Sequence, residues 1–390
     1  MMRNITALCC LGFTLSNGGS VSAGPTFTPQ VIDAEVSIGY GLALGDVDGD
    51  GKQDLLLADQ REISWFQNPT WEERSIAKHL TLRDNVCLAA ADINGDGKIE
   101  LAVGAQWNPG ETSSSELSGA VFFLDRPADL AQPWTPVPLF HEPTTHRMYW
   151  VKGADGIWSL VVVPLHGVGN KDGDGEQHVR VRAYYPDLAR LGDPDGWTHE
   201  VLDESLHVAH NADPRGSQIY IGGAEGLVRR DLPLLSPPPT DLLISAANST
   251  PPTRGMGEVR VCGDWIAAIE PFHGNDLVVY RPSTQQGMMW DRTLLNDRLN
   301  QGHALAVGDL DGDGLEDVVV GWRNPDADGH VGLRWYQAAA DQSWTEHDLS
   351  LDLVATEDLK VADLDDDGRL DVIASGRASH NFVIFWNREG

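Results

Sequence analysis

A nine-residue acidic motif that recurs four times constrains the fold more than any other feature of this sequence. Each copy has oxygen-bearing side chains at positions 1, 3, 5 and 9 and a glycine at position 6, and a run of branched apolar residues follows directly. The copies are "GDVDGDGKQDLLLAD", "ADINGDGKIELAVGA", "GDLDGDGLEDVVVGW" and "ADLDDDGRLDVIASG". Oxygen ligands at alternating positions around a turn glycine suit a hard cation such as Ca²⁺. Because branched residues favour strands, each motif is predicted to join two strands rather than two helices.

We therefore predict up to four structural Ca²⁺ sites. The candidate ligands are the oxygen-bearing residues of the four copies: Asp46, Asp48, Asp50 and Asp54; Asp92, Asn94, Asp96 and Glu100; Asp309, Asp311, Asp313 and Asp317; Asp363, Asp365, Asp367 and Asp371. The alternative is a set of solvated acidic turns that bind no metal.

A second motif, an aromatic residue before a short alternating segment, marks the gaps between these copies. It occurs as "FTPQVID", "WEERSIA", "WTPVPLF", "WTHEVLD", "WDRTLLN" and "WTEHDLS", and less clearly as "TDLLISA" from Thr240. Seven units of about 45 to 60 residues, each with four short strands, are typical of a β-propeller. We predict an all-β, seven-bladed β-propeller over residues 24–390 as a single domain. The first segment, "FTPQVID", is expected to pair with "FVIFWN" near the C-terminus and so close the last blade.

Composition and the N-terminus limit the partners and the location. The formal charge of −30 argues against nucleic acid or an anionic membrane as a partner. No apolar run reaches the roughly 18 residues that a membrane span needs. Residues 1–23 resemble a secretory signal with cleavage near Ala23, which predicts a secreted or periplasmic protein. Cys87 and Cys262, which remain after cleavage, are predicted to be free thiols.

The acidic segments resemble the FG-GAP/VCBS repeats of seven-bladed propellers, including those of integrin α chains. The resemblance implies that each cation loop joins the innermost strand of a blade to the second strand on one face. The start of the inner strand and the end of the second strand then lie at the opposite mouth of the central channel.

When the blades are aligned on the first loop acid, histidines fall around that mouth. Taking Asp213 as the first acid of the fourth blade places His207 at the start of its inner strand, with His210 about one step below. Converging imidazoles bind Zn²⁺ or a similar divalent metal. Candidate metal ligands are His146, His207, His210 and His273. Candidate catalytic or substrate-binding residues are His146, His166, His303, Glu357, Arg323 and Arg377. The alternative for each histidine is a buried ring bonded to a backbone carbonyl, and for each arginine a stack over a tryptophan.

Three further segments, "EPTTHRMYW", "SLHVAHNAD" and "IEPFHGNDLVVY", resemble the propeller domain of fungal aldos-2-ulose dehydratases. The resemblance implies a zinc-containing carbon–oxygen lyase that eliminates water from a small keto sugar. Elimination needs a polarised carbonyl, a base such as a neutral histidine, and an acid such as Glu357 or a second histidine. Arg323 and Arg377 are suited to bind substrate oxygens. The alternative is a non-catalytic, calcium-stabilised extracellular propeller that binds glycan or protein.

Overall fold

Seven four-stranded antiparallel sheets form the structure. The computed structural model describes residues 24–170, 176–234, 242–245, 255–285 and 289–388. The predicted signal segment and part of "TDLLISA" lie outside these residues.

The strands run in chain order through the blades. The N-terminal strand is β1 (Thr26–Asp33). The first three blades contain β2 (Gly41–Gly45), β3 (Asp54–Ala58), β4 (Glu62–Gln67) and β5 (Glu72–Lys78); β6 (Cys87–Ala91), β7 (Glu100–Ala105), β8 (Ala120–Asp125) and β9 (Thr135–Pro138); and β10 (Thr145–Lys152), β11 (Trp158–Pro164), β12 (Val181–Pro186) and β13 (Trp197–Asp203). The next two contain β14 (Ala209–Arg215), β15 (Gln218–Gly223), β16 (Gly226–Asp231) and β17 (Ile244–Ser245); and β18 (Glu258–Cys262), β19 (Trp265–Glu270), β20 (Asp276–Pro282) and β21 (Trp290–Asn296). The last two contain β22 (Gly302–Gly308), β23 (Asp317–Trp322), β24 (Gly332–Ala338) and β25 (Trp344–Leu351); and β26 (Thr356–Ala362), β27 (Asp371–Gly376) and β28 (Asn381–Arg388), with β1 as the fourth strand.

The first strand of each blade contacts the first strand of the next, and β26 of the last blade contacts β2 of the first. The ring is therefore closed around a central channel. At the seam β1 pairs antiparallel with β28, from Thr26 opposite Arg388 to Asp33 opposite Phe382. The predicted all-β, seven-bladed β-propeller is confirmed.

Burial explains why the strands differ in sequence. The second strand of each blade lies between two neighbouring sheets, so that all six residues of β7 and of β23 are buried. The outer strand faces solvent on one side, so that β25 consists of half-buried and exposed residues. The tryptophan that opens β25, Trp344, packs edge-on against Trp265 of the preceding blade, with ring centroids 5.6 Å apart. The repeated aromatic residue thus fills space between blades.

Two other expectations concern cysteines and membranes. Cys87 and Cys262 are free thiols; the first is buried and the second is half-buried. Within the described ranges, no helix has the length and apolar character required to cross a bilayer.

Candidate metal centre at the channel mouth

The four acidic loops follow the ends of the inner strands β2, β6, β22 and β26, on one face of the ring. Three of them bring three carboxylates together, with one oxygen from each within 4.8 Å of the others. These groups are Asp46, Asp48 and Asp50; Asp309, Asp311 and Asp317; and Asp363, Asp365 and Asp371. In the loop after β6 the amide of Asn94 donates to Glu100 (2.5 Å). Oxygen-only donor sets of this kind fit Ca²⁺.

The last acid of each loop also has a structural contact. Asp317 is fully buried, and its two oxygens accept the backbone N–H groups of Leu310 (3.1 Å) and Ala338 (2.8 Å). Asp54 and Asp371 accept equivalent pairs of N–H groups in their own blades. Burial raises the pKa of Asp317 to about 7 and the pKa values of Asp54 and Asp371 to about 6. These carboxylates therefore fix the loop to the blade as well as offering cation ligands.

The opposite mouth is built on β-bulges. In four inner strands the pairing register shifts around one residue near the strand start: His146 in β10, His210 in β14, His303 in β22 and Glu357 in β26. A bulged residue is left out of the ladder and its side chain is re-aimed. All four side chains are buried, so the bulges turn three imidazoles and one carboxylate toward the same part of the molecule.

Each bulged histidine is anchored to the neighbouring blade through Nδ1. His146 Nδ1 lies 2.9 Å from the His210 carbonyl oxygen, His210 Nδ1 lies 2.9 Å from the Gly257 carbonyl oxygen, and His303 Nδ1 lies 2.6 Å from the Glu357 carbonyl oxygen. A carbonyl can only accept, so all three rings carry their proton on Nδ1 and a lone pair on Nε2. The backbone thus selects the tautomer that can ligate a metal through Nε2.

His273, in the turn after β19, completes a group of three with His210 and His303. One ring nitrogen from each of the three residues lies within 4.8 Å of the others. His273 Nε2 is 2.5 Å from His210 Nε2, and Arg323 Nη2 is 3.3 Å from His273 Nδ1. Because the guanidinium can only donate, the ring proton of His273 lies on Nε2 and is shared with His210.

Burial favours the neutral form of His146, His273 and His303. It lowers the pKa of His146, His273 and His303, and nearby positive groups lower it further, chiefly Arg147 for His146 and Arg323 for His303. A neutral imidazole is the form that ligates a metal and the form that accepts a proton.

Glu357 organises the two predicted arginines. Its Oε2 lies 3.0 Å from Arg323 Nη1 and its Oε1 lies 3.0 Å from Arg377 Nη1. Arg323 also donates to the side chain of Gln301 (2.7 Å), and the guanidinium of Arg377 lies over the Tyr40 ring, 5.6 Å from its centroid. The side chain of Arg377 is 43% exposed and that of Arg323 is 14% exposed, so Arg377 is the more accessible donor at the mouth.

The structure does not place His207 in the group of three. His207 Nδ1 bonds the Glu225 carboxylate (2.6 Å), and its ring meets the edge of His178 with centroids 4.2 Å apart. The bulge puts His210, not His207, at the position equivalent to His146 and His303. His166, half-buried after β11, forms a β-bridge with Val208.

Sequence reasoning missed Arg147 and Gly257. Arg147 Nη1 donates to His146 Nε2 (3.1 Å) and to the His146 carbonyl (3.0 Å), so the nitrogen through which His146 was predicted to bind a metal already has a partner. Gly257 supplies the carbonyl that orients His210, and a Cβ there would lie 2.1 Å from the Phe272 carbonyl oxygen. A glycine directly before the inner strand of blade five was the available signal for Gly257. Nothing in "THRMYW" indicates where the Arg147 side chain points.

The residues present fit a divalent transition metal. His210 and His303 offer oriented Nε2 lone pairs, and His273 can offer Nε2 once its proton moves to Nδ1 and the Arg323 guanidinium turns away from that atom. Three imidazoles with no carboxylate among them form a donor set that suits zinc and its neighbours better than Ca²⁺ or Mg²⁺.

Comparison with known families agrees with this architecture. Residues 46–103 and 309–374 match the family described as FG-GAP-like repeat, and these two ranges contain all four acidic loops. Within these ranges the chain carries FG-GAP-like repeats, and its fold is a seven-bladed β-propeller. No curated protein matches it significantly.

Solved structures show the same fold at low sequence identity. A chain of the mitotic checkpoint complex has a TM-score of 0.58 at 11% identity, and the match covers 98% of both chains. The RRP9 WD40 repeats have a TM-score of 0.57 at 11% identity, covering 94% of this chain and 100% of theirs. BBS1N, solved in complex with ARL6DN, has a TM-score of 0.54 at 14% identity, covering 95% and 98%. These likenesses extend to the fold alone.

Proposed function

We propose that this FG-GAP propeller is an exported carbon–oxygen lyase that eliminates water from a keto sugar at the channel mouth, assisted by a divalent metal. His210, His273 and His303 would hold the metal, and Zn²⁺ is the first candidate. The observation that carries the proposal is the anchoring of His210 and His303 through Nδ1 to backbone carbonyls, which leaves a lone pair on each Nε2 beside His273. At His210 a bound metal would replace the Nε2–H of His273 as the partner of that lone pair. The resemblance of the surrounding segments to aldos-2-ulose dehydratases suggests the substrate class.

The residues around the three histidines supply the other functions that an elimination needs. When bound, the metal would polarise a carbonyl oxygen as a Lewis acid. Arg377 and Arg323, both held by Glu357, present guanidinium donors to substrate oxygens. We assign substrate orientation to these two arginines, and to Glu357 the positioning of both.

His207 has the environment of a general base. Its Nδ1 is bonded to the Glu225 carboxylate, and its side chain is 35% exposed. A carboxylate in this position fixes the tautomer, leaves Nε2 to accept the proton from the carbon beside the carbonyl, and stabilises the imidazolium that forms. That imidazolium would then give the proton to the leaving hydroxyl, which departs as water. We therefore assign His207 to proton transfer and not to metal binding.

Metal content and turnover test the proposal together. The purified protein is analysed for bound metals and incubated with glucosone and 1,5-anhydrofructose, and absorbance of the enone product is followed. The wild type should contain about one transition metal per chain and form enone. His210→Ala should lose both, because too few donors remain to hold the metal.

His79→Asn is the matched control. His79 is exposed and has a left-handed backbone with φ of 53°, which asparagine tolerates. It should keep metal and activity. A wild type without transition metal and without turnover of either sugar would overturn the proposal and favour the non-catalytic propeller that binds glycan or protein.

A further inference from the structure

The central channel contains a cavity of about 300 Å³. Its lining includes residues that directly follow the bulges. Its wall comes mainly from the inner strands and has an apolar side that includes Met148, Trp150 and Trp158. Four charged side chains also line it: Arg147, Arg260, Asp358 and Lys360. A space of this size lies at the lower end of the range for small-molecule sites, roughly 300–1,000 Å³.

The cavity has more positive than negative charge. Lys360 is neutralised by Asp358, whose two oxygens both lie 3.1 Å from its ammonium. Arg147 donates only to the ring and carbonyl of His146, and no described carboxylate lies within ion-pairing distance of it.

Arg260 is neutralised. Glu258 lies 3.6 Å from its guanidinium, and Arg260 also donates to the Val259 carbonyl oxygen (2.6 Å). Arg147 is therefore the cation of this cavity that has no close counter-ion among the described residues, which is unfavourable for a partly enclosed charge. In a chain with a formal charge of −30, a cation left in this way indicates an anionic ligand.

We propose that this cavity binds a small organic carboxylate, of monosaccharide size or less, whose carboxylate is held by Arg147. The guanidinium matches a carboxylate in geometry and can bind it through two parallel hydrogen bonds. An inorganic anion would leave the tryptophan and methionine surface uncovered, whereas an organic body packs against it. The site is separate from the three histidines and does not depend on the proposed lyase activity.

Calorimetric titration of the full chain, in calcium buffer without transition metal, tests the site. The probes are benzoate, with an apolar body, and glucuronate, with a polyol body. Their neutral analogues are benzyl alcohol and glucose. At least one carboxylate should bind with one-to-one stoichiometry, and its Kd should be at least about tenfold lower than that of its neutral analogue. The analogue cannot form the charge-assisted hydrogen bond with the guanidinium. The comparison of benzoate with glucuronate identifies which body the cavity accepts.

Arg147→Met should weaken the binding of that carboxylate about tenfold or more. Arg281→Met is the matched control and should not, because Arg281 stacks on Trp265 and Trp344 away from the cavity. If Arg147→Met does not fold, Arg147→Lys replaces it, and loss of the planar fork should still weaken binding measurably. The proposal is overturned if neither carboxylate binds better than its neutral analogue, or if the Arg147 variant that folds binds as the wild type does.

Discussion

Asp317 combines two contributions to stability that can be separated by experiment. As a loop acid it is a candidate Ca²⁺ ligand, and as a buried carboxylate it accepts two backbone N–H groups, from Leu310 and Ala338. Asp317→Ala leaves both N–H groups without their acceptor, at about 1–3 kcal/mol each, so the free energy of unfolding should fall by about 2–6 kcal/mol even without calcium. With an unfolding entropy of about 2.1 cal/mol/K per residue, this lowers the melting temperature by roughly 2–7 °C.

Asp311→Ala is the matched variant in the same loop. Asp311 is partly exposed and accepts from Gln337 and from the Asp313 N–H, contacts nearer the surface. In chelator it should melt close to the wild type. In calcium it should lose the stabilisation of one site, about 2.7 kcal/mol at a hundredfold excess over Kd.

Melting is followed by circular dichroism in calcium and in chelator. A wild type that melts identically in both buffers refutes the calcium sites. Asp317→Ala that matches the wild type in chelator refutes the assignment of its two hydrogen bonds to stability.

Three further predictions concern the seam and the histidines. Removing residues 23–33 exposes the edge of β28, so this variant should aggregate or melt early. Removing the last two residues should change the melting temperature little. Equal melting of the two variants contradicts closure at this seam. Arg147→Met frees Nε2 of His146 beside His210 and should therefore tighten zinc binding, measured by competition with a chromogenic chelator. Weaker zinc binding would contradict the assignment of the hydrogen bond between Arg147 and His146. His207→Ala should retain zinc by elemental analysis but lose enone formation; loss of zinc would restore His207 to the ligands.

The fold was predictable because two periodic signals agree. The acidic motif gives the position of the turn in four blades, and the aromatic motif marks the outer strand where the acidic motif is lacking. Trp197 shows why the second signal persists, since blade three lacks the acidic motif and yet this indole packs against Phe123 of the preceding blade, with ring centroids 5.4 Å apart. Packing between blades therefore maintains the repeat after the loop has changed.

The site was less predictable because its residues sit at irregularities of the strands. Counting back six positions from the first acid correctly finds His303 and Glu357, whose cation loops are intact. In the fourth blade the loop has changed, and the same count reaches His207. The bulge in β14 is instead at His210. A one-residue insertion in a ladder changes the face of every side chain beyond it, and no sequence pattern in "LHVAHNAD" marks where it falls.

The bulges also explain how the blades hold the imidazoles in place. A bulged residue interrupts its own ladder. The carbonyl oxygen of His210 accepts the Nδ1–H of His146 from the preceding blade. The carbonyl oxygen of Glu357 accepts the Nδ1–H of His303 in the same way. Backbone groups at the interruption thus obtain partners across the blade interface, while the same bonds set the direction of the rings and the position of their protons. The proposed metal site therefore depends on contacts between blades. A histidine placed in the same sequence context, but without a carbonyl opposite it in the next blade, would have neither a fixed tautomer nor a fixed orientation.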